Sequence, residues 1–231
     1  MRELRAIYNK AIKEGIVDYK YYPFNKYKLQ KNAKTISRAL TVDEMKKIIQ
    51  LEIEPNTTMW HSRNYFLLSF CLIGINFTDM FLLTPDSIQN NRIIFSRSKT
   101  KKIYSIYLQP KAQEILSHYF KPENNPDYLL PVLSKGDSPL QVKTKALQAI
   151  KTTNEYLYRI AEKLEIKQNI TSYYARYSFA NICKGLGYSK DLIAEALGHS
   201  YGNAVTGIYL DNYGNEIIDA ANEKVIAAVF N

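Results

Sequence analysis

Two segments near the C-terminus of this 231-residue chain hold side chains that could act together on a phosphodiester. Arg176 lies in an apolar, helix-like segment, His199 ends a Leu-Gly-His sequence, and Tyr209 follows ten residues after His199. When an alcohol attacks a phosphodiester, negative charge accumulates on the non-bridging oxygens, and a guanidinium and a histidine can stabilise it with donated hydrogen bonds. A tyrosine hydroxyl, with an ordinary pKa of about 10, can serve as the nucleophile if nearby cations activate it.

A separate cluster of cations, without any acid among them, could supply the proton that the departing oxygen needs. Its members are Arg92, Arg97, Lys99, Lys101 and Lys102. The cluster spans the junction of two strand-like runs, Arg92–Ser98 and Ile103–Leu108, which predict a β-hairpin with a basic tip. A lysine at that tip, Lys99, could act as the general acid.

The order and spacing of these residues resemble the catalytic domain of the tyrosine recombinases, the phage-integrase family, over roughly residues 40–212. In that family a helix carries H-x-x-R, a later helix ends in L-G-H, and a nucleophilic tyrosine follows roughly ten residues on. Arg176, His199 and Tyr209 match these three positions. Lys99 matches the lysine that the family carries on a β-hairpin.

The sequence departs from the family pattern at two positions. The segment that resembles T-G-L-R-x-x-E-L has Asn76 in place of the arginine, and a neutral amide offers fewer donors and no charge. Tyr173 occupies the first position of H-x-x-R, where a phenol can still donate a hydrogen bond to phosphate. Two arginines could supply the missing cation. Arg97 is favoured because it precedes the hairpin lysine by two residues and would share its strand face. Arg63 is less favoured because a continuous helix would place it about 20 Å from Asn76.

The resemblance implies a site-specific DNA recombinase or integrase that cuts and rejoins DNA strands through a 3′-phosphotyrosine intermediate. It implies double-stranded DNA as the partner, with the protein a monomer when free and a homotetramer on DNA. No metal and no cofactor is expected, since the sequence lacks a carboxylate cluster, a Cys/His grouping and a phosphate-binding loop. Two alternatives stay open: a DNA-binding relative that has lost catalysis and acts in regulation, which Asn76 favours, and an activity like that of type IB topoisomerases.

The charge balance also favours a polyanionic partner. Lys and Arg number 31 against 22 Asp and Glu, a formal net charge of +9. The stretch from Tyr19 to Ala39 contains six cations and no acid. Together with the hairpin, it predicts DNA-backbone contacts from Lys26, Lys28, Lys31, Lys34, Arg38, Lys101 and Lys102. Two solvated surfaces without a ligand are the alternative interpretation.

The composition is that of a globular protein, with 46% hydrophobic residues. The longest apolar run, residues 65–75, is shorter than the roughly 20 residues that span a bilayer, so no membrane association is predicted. Two cysteines in apolar contexts cannot form a disulfide scaffold and suit a reducing compartment. We therefore predict a cytoplasmic protein that is associated with the nucleoid when bound to DNA.

These residues must be positioned by a mainly α-helical α+β domain with a small antiparallel sheet, the tyrosine-recombinase catalytic-domain fold. Residues 1–39 are interpreted as the last helix of a missing N-terminal core-binding domain followed by a basic linker, and residues 40–231 as the catalytic domain. A capping box at Thr41 begins the first helix of that domain, and Asn76 is a predicted N-cap. The C-terminal helix has an apolar stripe that could pack on its own domain or on a neighbouring copy.

Overall fold

The computed structural model describes residues 1–25, 27, 38–98, 101–121, 123, 126–198 and 213–231. The chain forms two compact units, Met1–Ser37 and Arg38–Asn231. No helix within the described ranges is both long enough and apolar enough to cross a membrane.

The first unit is built around one helix and a cluster of aromatic rings. Its elements are helix α1 (Arg2–Lys13) and two 3₁₀ turns, Tyr19–Tyr21 and Pro23–Asn25. Tyr22 is buried between the turns, with its ring centroid 6.0 Å from that of Tyr8 and 5.4 Å from that of Phe24. Its hydroxyl accepts a hydrogen bond from Arg5 Nε at 3.0 Å. The basic stretch interpreted as a linker therefore begins with turns that pack back on α1, because its aromatic rings bury one another.

The second unit is mainly helical around a small sheet. Its helices are α2 (Val42–Gln50), α3 (Thr58–Cys71), α4 (Phe77–Phe81), α5 (Pro110–Ser117), α6 (Pro139–Lys163), α7 (Tyr173–Gly185), α8 (Lys190–Ala196) and α9 (Asn215–Phe230). Its strands are β1 (Ile88–Gln89), β2 (Arg92–Ser96) and β3 (Ile103–Tyr107). The predicted α+β class, mainly helical with a small antiparallel sheet, is confirmed.

Local hydrogen bonds define where the helices begin. At α2, the Thr41 hydroxyl accepts from the Glu44 backbone N–H while the Glu44 carboxylate accepts from the Thr41 N–H, which is the predicted capping box. At α4, Asn76 Oδ1 accepts from the Thr78 backbone N–H at 2.9 Å. The Ser189 side chain caps α8 in the same way. The two predicted starts, at Thr41 and Asn76, are confirmed because the capping signals lie within a few residues of the helix they initiate.

The sheet has the strand order β1-β2-β3 and is antiparallel throughout. In the β2–β3 hairpin Arg92 pairs with Tyr107 and Ser96 pairs with Ile103. Ile93 on β2 lies opposite Ile106 on β3, and both are buried. The predicted hairpin is present, and the two-residue strand β1 adds a third member too short to show an alternating pattern.

Helix α3 forms the centre of the core and packs against α5, α6 and α7. The C-terminal helix α9 packs against α2, α7 and β3 of its own domain, with Val225 and Val229 buried. The Asn222 side chain donates a hydrogen bond to the backbone carbonyl of Cys71, at the end of α3. Cys71 and Cys183 are both buried free thiols.

Candidate active site

A sharp turn between α3 and α4 packs directly against Arg176 on α7. Ile73 and Gly74 both have left-handed backbone angles, with φ of 57° and 65°. A Cβ at Gly74 would lie 2.5 Å from the Cα of Arg176, so only glycine permits this approach of the turn to α7. The Gly74 carbonyl oxygen accepts a hydrogen bond from Arg176 Nη1 at 3.0 Å.

The guanidinium of Arg176 also contacts the end of α8. Its Nη2 donates to the backbone carbonyl of Leu197, the residue that caps the C-terminus of that helix. Burial, followed by repulsion from the guanidinium of Arg97, lowers the pKa of Arg176 below its ordinary value. The same cation therefore holds the α3–α4 turn and the end of α8 while lying close to a second positive charge.

That second charge, Arg97, lies just beyond the end of β2, where two backbone hydrogen bonds close the hairpin. The Arg97 N–H donates to the Lys102 carbonyl at 2.9 Å, and the Lys101 N–H donates to the Arg97 carbonyl at 2.8 Å. Arg97 Nε lies 4.0 Å from Asp79 Oδ2, and both side chains are largely buried. Arg97 is thus fixed at the hairpin end by its own backbone and by a carboxylate of α4.

Asp79 anchors the hairpin to α4, and it was not among the predicted site residues. Its Oδ1 accepts hydrogen bonds from the Ser98 backbone N–H at 3.0 Å and from the Ser98 hydroxyl at 2.6 Å. The sequence does contain a signal for Asp79, because it lies three residues after Asn76, where the family pattern has an acid. Ser98 directly precedes Lys99 in sequence, so this contact fixes the chain next to the predicted general acid.

An open cavity of about 160 Å³ lies where the α3–α4 turn and the N-terminus of α4 meet α7 and Arg97. Asn76, Arg97, Tyr173 and Arg176 line it together. It is several times larger than the ~30 Å³ that one water molecule occupies in the liquid, which leaves room for a phosphate group. The two guanidiniums and the exposed phenol of Tyr173 make it a cavity suited to an anion.

The structure separates the two arginines that could replace the missing motif cation. Arg97 lines the cavity with Arg176, whereas Arg63 is not among the residues that line it. Nη1 of Arg63 donates to the Leu51 carbonyl instead, and burial lowers its pKa below the ordinary value. Arg63 lies in the first half of α3, and the turn that forms the cavity follows the end of that helix, so the two are far apart along it.

The remaining cations divide into exposed and paired groups. Arg38, Lys101 and Lys102 are exposed. Arg92, which the sequence analysis placed in the basic cluster, forms a bidentate ion pair with Asp219 on α9, with distances of 2.6 and 3.1 Å. Arg92 therefore fastens the C-terminal helix to the hairpin, and the Asp219 carboxylate balances its charge. The predicted site residues Lys26, Lys28, Lys31, Lys34, Lys99, His199 and Tyr209 lie outside the described residues.

Three solved structures share this architecture. The chain is similar to a lambda integrase dimer bound to a COC′ core site, with a TM-score of 0.60 and 20% identity over 91% of this chain and 71% of that one. It is similar to XerA recombinase, with a TM-score of 0.53 and 17% identity over 90% and 69% of the two chains. The integrase of the Tn1549 transposon, in complex with circular intermediate DNA, gives a TM-score of 0.54 and 13% identity over 96% and 76%.

The chain has the tyrosine recombinase fold. No family model matches its sequence, and no curated protein matches it either. The resemblance drawn from the sequence is thus confirmed at the level of the fold. Within the tyrosine recombinase fold, the α3–α4 turn, α4, the hairpin, α6 and α7 supply the described residues that line the cavity.

Proposed function

We propose that this protein is a site-specific DNA recombinase or integrase that cuts and rejoins DNA strands through a 3′-phosphotyrosine intermediate. The observation that carries the proposal is the convergence of Arg97 and Arg176 on one cavity. Leu197, which accepts a hydrogen bond from Arg176, is the first residue of the Leu-Gly-His sequence. The tyrosine recombinase fold supports the proposal, because each of the three similar structures is named an integrase or a recombinase.

The charge of the cavity supports a phosphate as its ligand. Among the described residues, two guanidiniums line the cavity and one carboxylate, that of Asp79, lies beside it at 4.0 Å from Arg97, which leaves an excess positive charge at a partly buried position. The repulsion between Arg97 and Arg176 is relieved when an anion binds between them. Burial strengthens the attraction of both guanidiniums for that anion. Arg97 would thereby supply the positive charge that Asn76 cannot, and it would stabilise the negative charge on the non-bridging oxygens.

The chemical steps are assigned to residues that the sequence motifs identify. The phenol oxygen of Tyr209 attacks phosphorus and gives its proton to solvent water, and the bond between phosphorus and the 5′-oxygen breaks. Lys99 gives a proton to the departing 5′-oxygen, and His199 and Tyr173 donate hydrogen bonds to the phosphate. The reverse attack by a 5′-hydroxyl rejoins the strand and releases Tyr209. One phosphate ester bond replaces another in each step, so neither a nucleotide nor a metal is required.

The basic residues would bind the phosphates of the duplex. Lys101 and Lys102 are exposed at the same end of the hairpin as Arg97. Together with the cations of the basic stretch from Tyr19 to Ala39, they would contact DNA phosphates: Lys26, Lys28, Lys31, Lys34 and Arg38. The proposal includes a monomer in solution, a homotetramer on DNA, and a cytoplasmic protein that associates with the nucleoid.

The deciding experiment traps the covalent intermediate. The full chain is incubated with a pool of duplexes that carry nicks within random sequence. Cleavage near a nick releases a short fragment, which prevents rejoining and leaves the protein attached to the DNA. Protein–DNA adducts are then isolated under denaturing conditions. We expect an adduct with the wild-type chain, none with Tyr209→Phe, and an adduct with the matched control Tyr213→Phe. Absence of any adduct from a pool that the protein binds would contradict the proposal.

A DNA-binding relative without catalysis is the second candidate, and one observation favours it. Asn76 is engaged as the N-cap of α4 through its bond to the Thr78 N–H, so its amide oxygen is committed to the helix. Tight, salt-dependent DNA binding that is unaffected by Tyr209→Phe, without adduct, would select this function. Relaxation of supercoiled plasmid without a specific site would indicate a topoisomerase instead.

A further inference from the structure

Tyr104, on strand β3, lies where the hairpin meets the end of α8. Its hydroxyl donates to the Leu197 backbone carbonyl at 3.0 Å, and its ring stacks on that of Phe95 with centroids 5.1 Å apart. The stacking on a neighbouring strand fixes the plane of the ring, so the hydroxyl has a defined position. No sequence motif distinguishes Tyr104 from the other tyrosines, of which the chain has 19 in all.

The hydroxyl of Tyr104 is close to both cavity arginines. Arg97 Nη1 lies 3.5 Å from the Tyr104 hydroxyl oxygen. Arg176 Nη2 donates to Leu197 O, the same carbonyl that accepts from Tyr104. Tyr104, Arg97 and Arg176 also line one small recess. A single phenol therefore contacts one guanidinium directly and shares an acceptor with the other.

The adjacent glycine leaves room for this phenol. Gly198 has a φ of +67°, and a Cβ built on it would lie 1.7 Å from the Tyr104 hydroxyl oxygen. Any other residue at position 198 would displace Tyr104, besides adopting a backbone angle that side chains disfavour. Both residues of the Leu-Gly pair thus accommodate the phenol. The Leu197 carbonyl accepts its hydrogen bond, and the missing side chain of Gly198 leaves space for the hydroxyl.

We propose that Tyr104 is a positioning residue that sets the relative placement of the Arg97 and Arg176 guanidiniums by joining the hairpin to the end of α8. It acts through the arginines and does not touch the phosphate. The inference rests on the proposed function in one respect, the rate of adduct formation that Tyr104 affects. Without the hydroxyl, Arg97 loses a neighbour and the hairpin loses its hydrogen bond to Leu197. The two cations then sample positions that suit the phosphate less well.

The test compares Tyr104→Phe with Tyr107→Phe, which removes a hydroxyl from a half-buried tyrosine on the same strand. The arginine Nε–H signals of Arg97 and Arg176 are followed by NMR and assigned with Arg97→Lys and Arg176→Lys. The single-turnover rate of adduct formation is measured at saturating protein, together with DNA affinity. Tyr104→Phe is expected to shift or broaden both signals and to lower the rate about tenfold, with DNA affinity unchanged. Tyr107→Phe should change none of these.

Gly198→Ala provides a second perturbation of the same contact, and it should move both arginine signals in the folded protein. Unchanged arginine signals in Tyr104→Phe would overturn the inference, as would a rate equal to that of Tyr107→Phe. Equal losses of DNA affinity and rate would also overturn it, because they would indicate a general weakening of the domain. If the wild-type chain forms no adduct, the proposed function fails, and the NMR comparison alone decides whether Tyr104 places the arginines.

Discussion

Replacement of Arg97 by glutamine tests whether this arginine supplies the cation that Asn76 cannot. The substitution keeps the unbranched stem and a polar end group but shortens the side chain and removes the charge and most of the donors. Loss of one transition-state donor in a preorganised site slows a reaction by about 10²–10³, or about 2.7–4 kcal/mol. We expect Arg97→Gln to lower the single-turnover rate of adduct formation by that factor at saturating protein.

The effect of Arg97→Gln on stability is expected to be much smaller. The ion pair with Asp79 is 4.0 Å long, at the upper limit for an ionic contact, so its loss removes only a weak attraction. Asp79 also keeps its two hydrogen bonds from Ser98, and removal of the repulsion between Arg97 and Arg176 acts in the opposite direction. The free energy of unfolding, measured with urea, should therefore change by less than about 1 kcal/mol.

Arg63→Gln is the matched comparison, because Arg63 is the other arginine predicted as a substitute for the missing motif cation. Its guanidinium binds the Leu51 carbonyl, so its loss should destabilise the fold by about 1 kcal/mol while the adduct rate is maintained. A wild-type rate in Arg97→Gln, or a larger loss of rate in Arg63→Gln at equal folded fraction, would refute the assignment of Arg97.

Three further outcomes follow from other parts of the second unit. Gly74→Ala should lower the melting temperature and the adduct rate together, because its Cβ would lie 2.5 Å from a backbone atom of α7 at a φ of +65°. Lys101→Gln and Lys102→Gln should each reduce the slope of log affinity against log salt by about 0.9 in a DNA-binding titration, and an unchanged slope would remove these lysines from the interface. The hydrogen bond from Lys145 holds the pKa of the Asp137 carboxyl below its ordinary value of 3.8. The ionised Asp137 carboxylate therefore contributes its full stabilisation above about pH 3.8, and this contribution is lost as the pH falls through the lower pKa of the folded state. The stability difference between wild type and Asp137→Asn should shrink in acid unfolding curves over that range.

Local signals in the sequence predicted most of the elements around the cavity. The capping box at Thr41 and the N-cap at Asn76 each depend on residues within four positions, so the pattern alone identifies them. The β2–β3 hairpin follows from two strand-like runs with a short basic connection. Arg176 was identified by its motif, and Arg97 by its position beside the hairpin lysine.

The contacts that organise the cavity could not be predicted, because their partners are distant in sequence. Asp79 and Ser98 are 19 residues apart, and Tyr104 and Leu197 are 93 apart. Arg92 was assigned with the exposed lysines because its charge is the same, and only the fold reveals its partner Asp219, 127 residues away. Which cation faces solvent and which meets a carboxylate depends on how α9 packs against the sheet.

The two cysteines of the core offer a way to follow transient opening of the domain. Cys71 lies in α3 and Cys183 in α7, and both are buried. Burial raises the pKa of both thiols, that of Cys183 to about 11, so the thiolate that reacts with alkylating reagents is scarce in the native state. Modification would therefore occur mainly in molecules that have opened. Labelling rates at the two sites would report, without an introduced probe, whether the central helix and the helix of Arg176 separate in one event or in two.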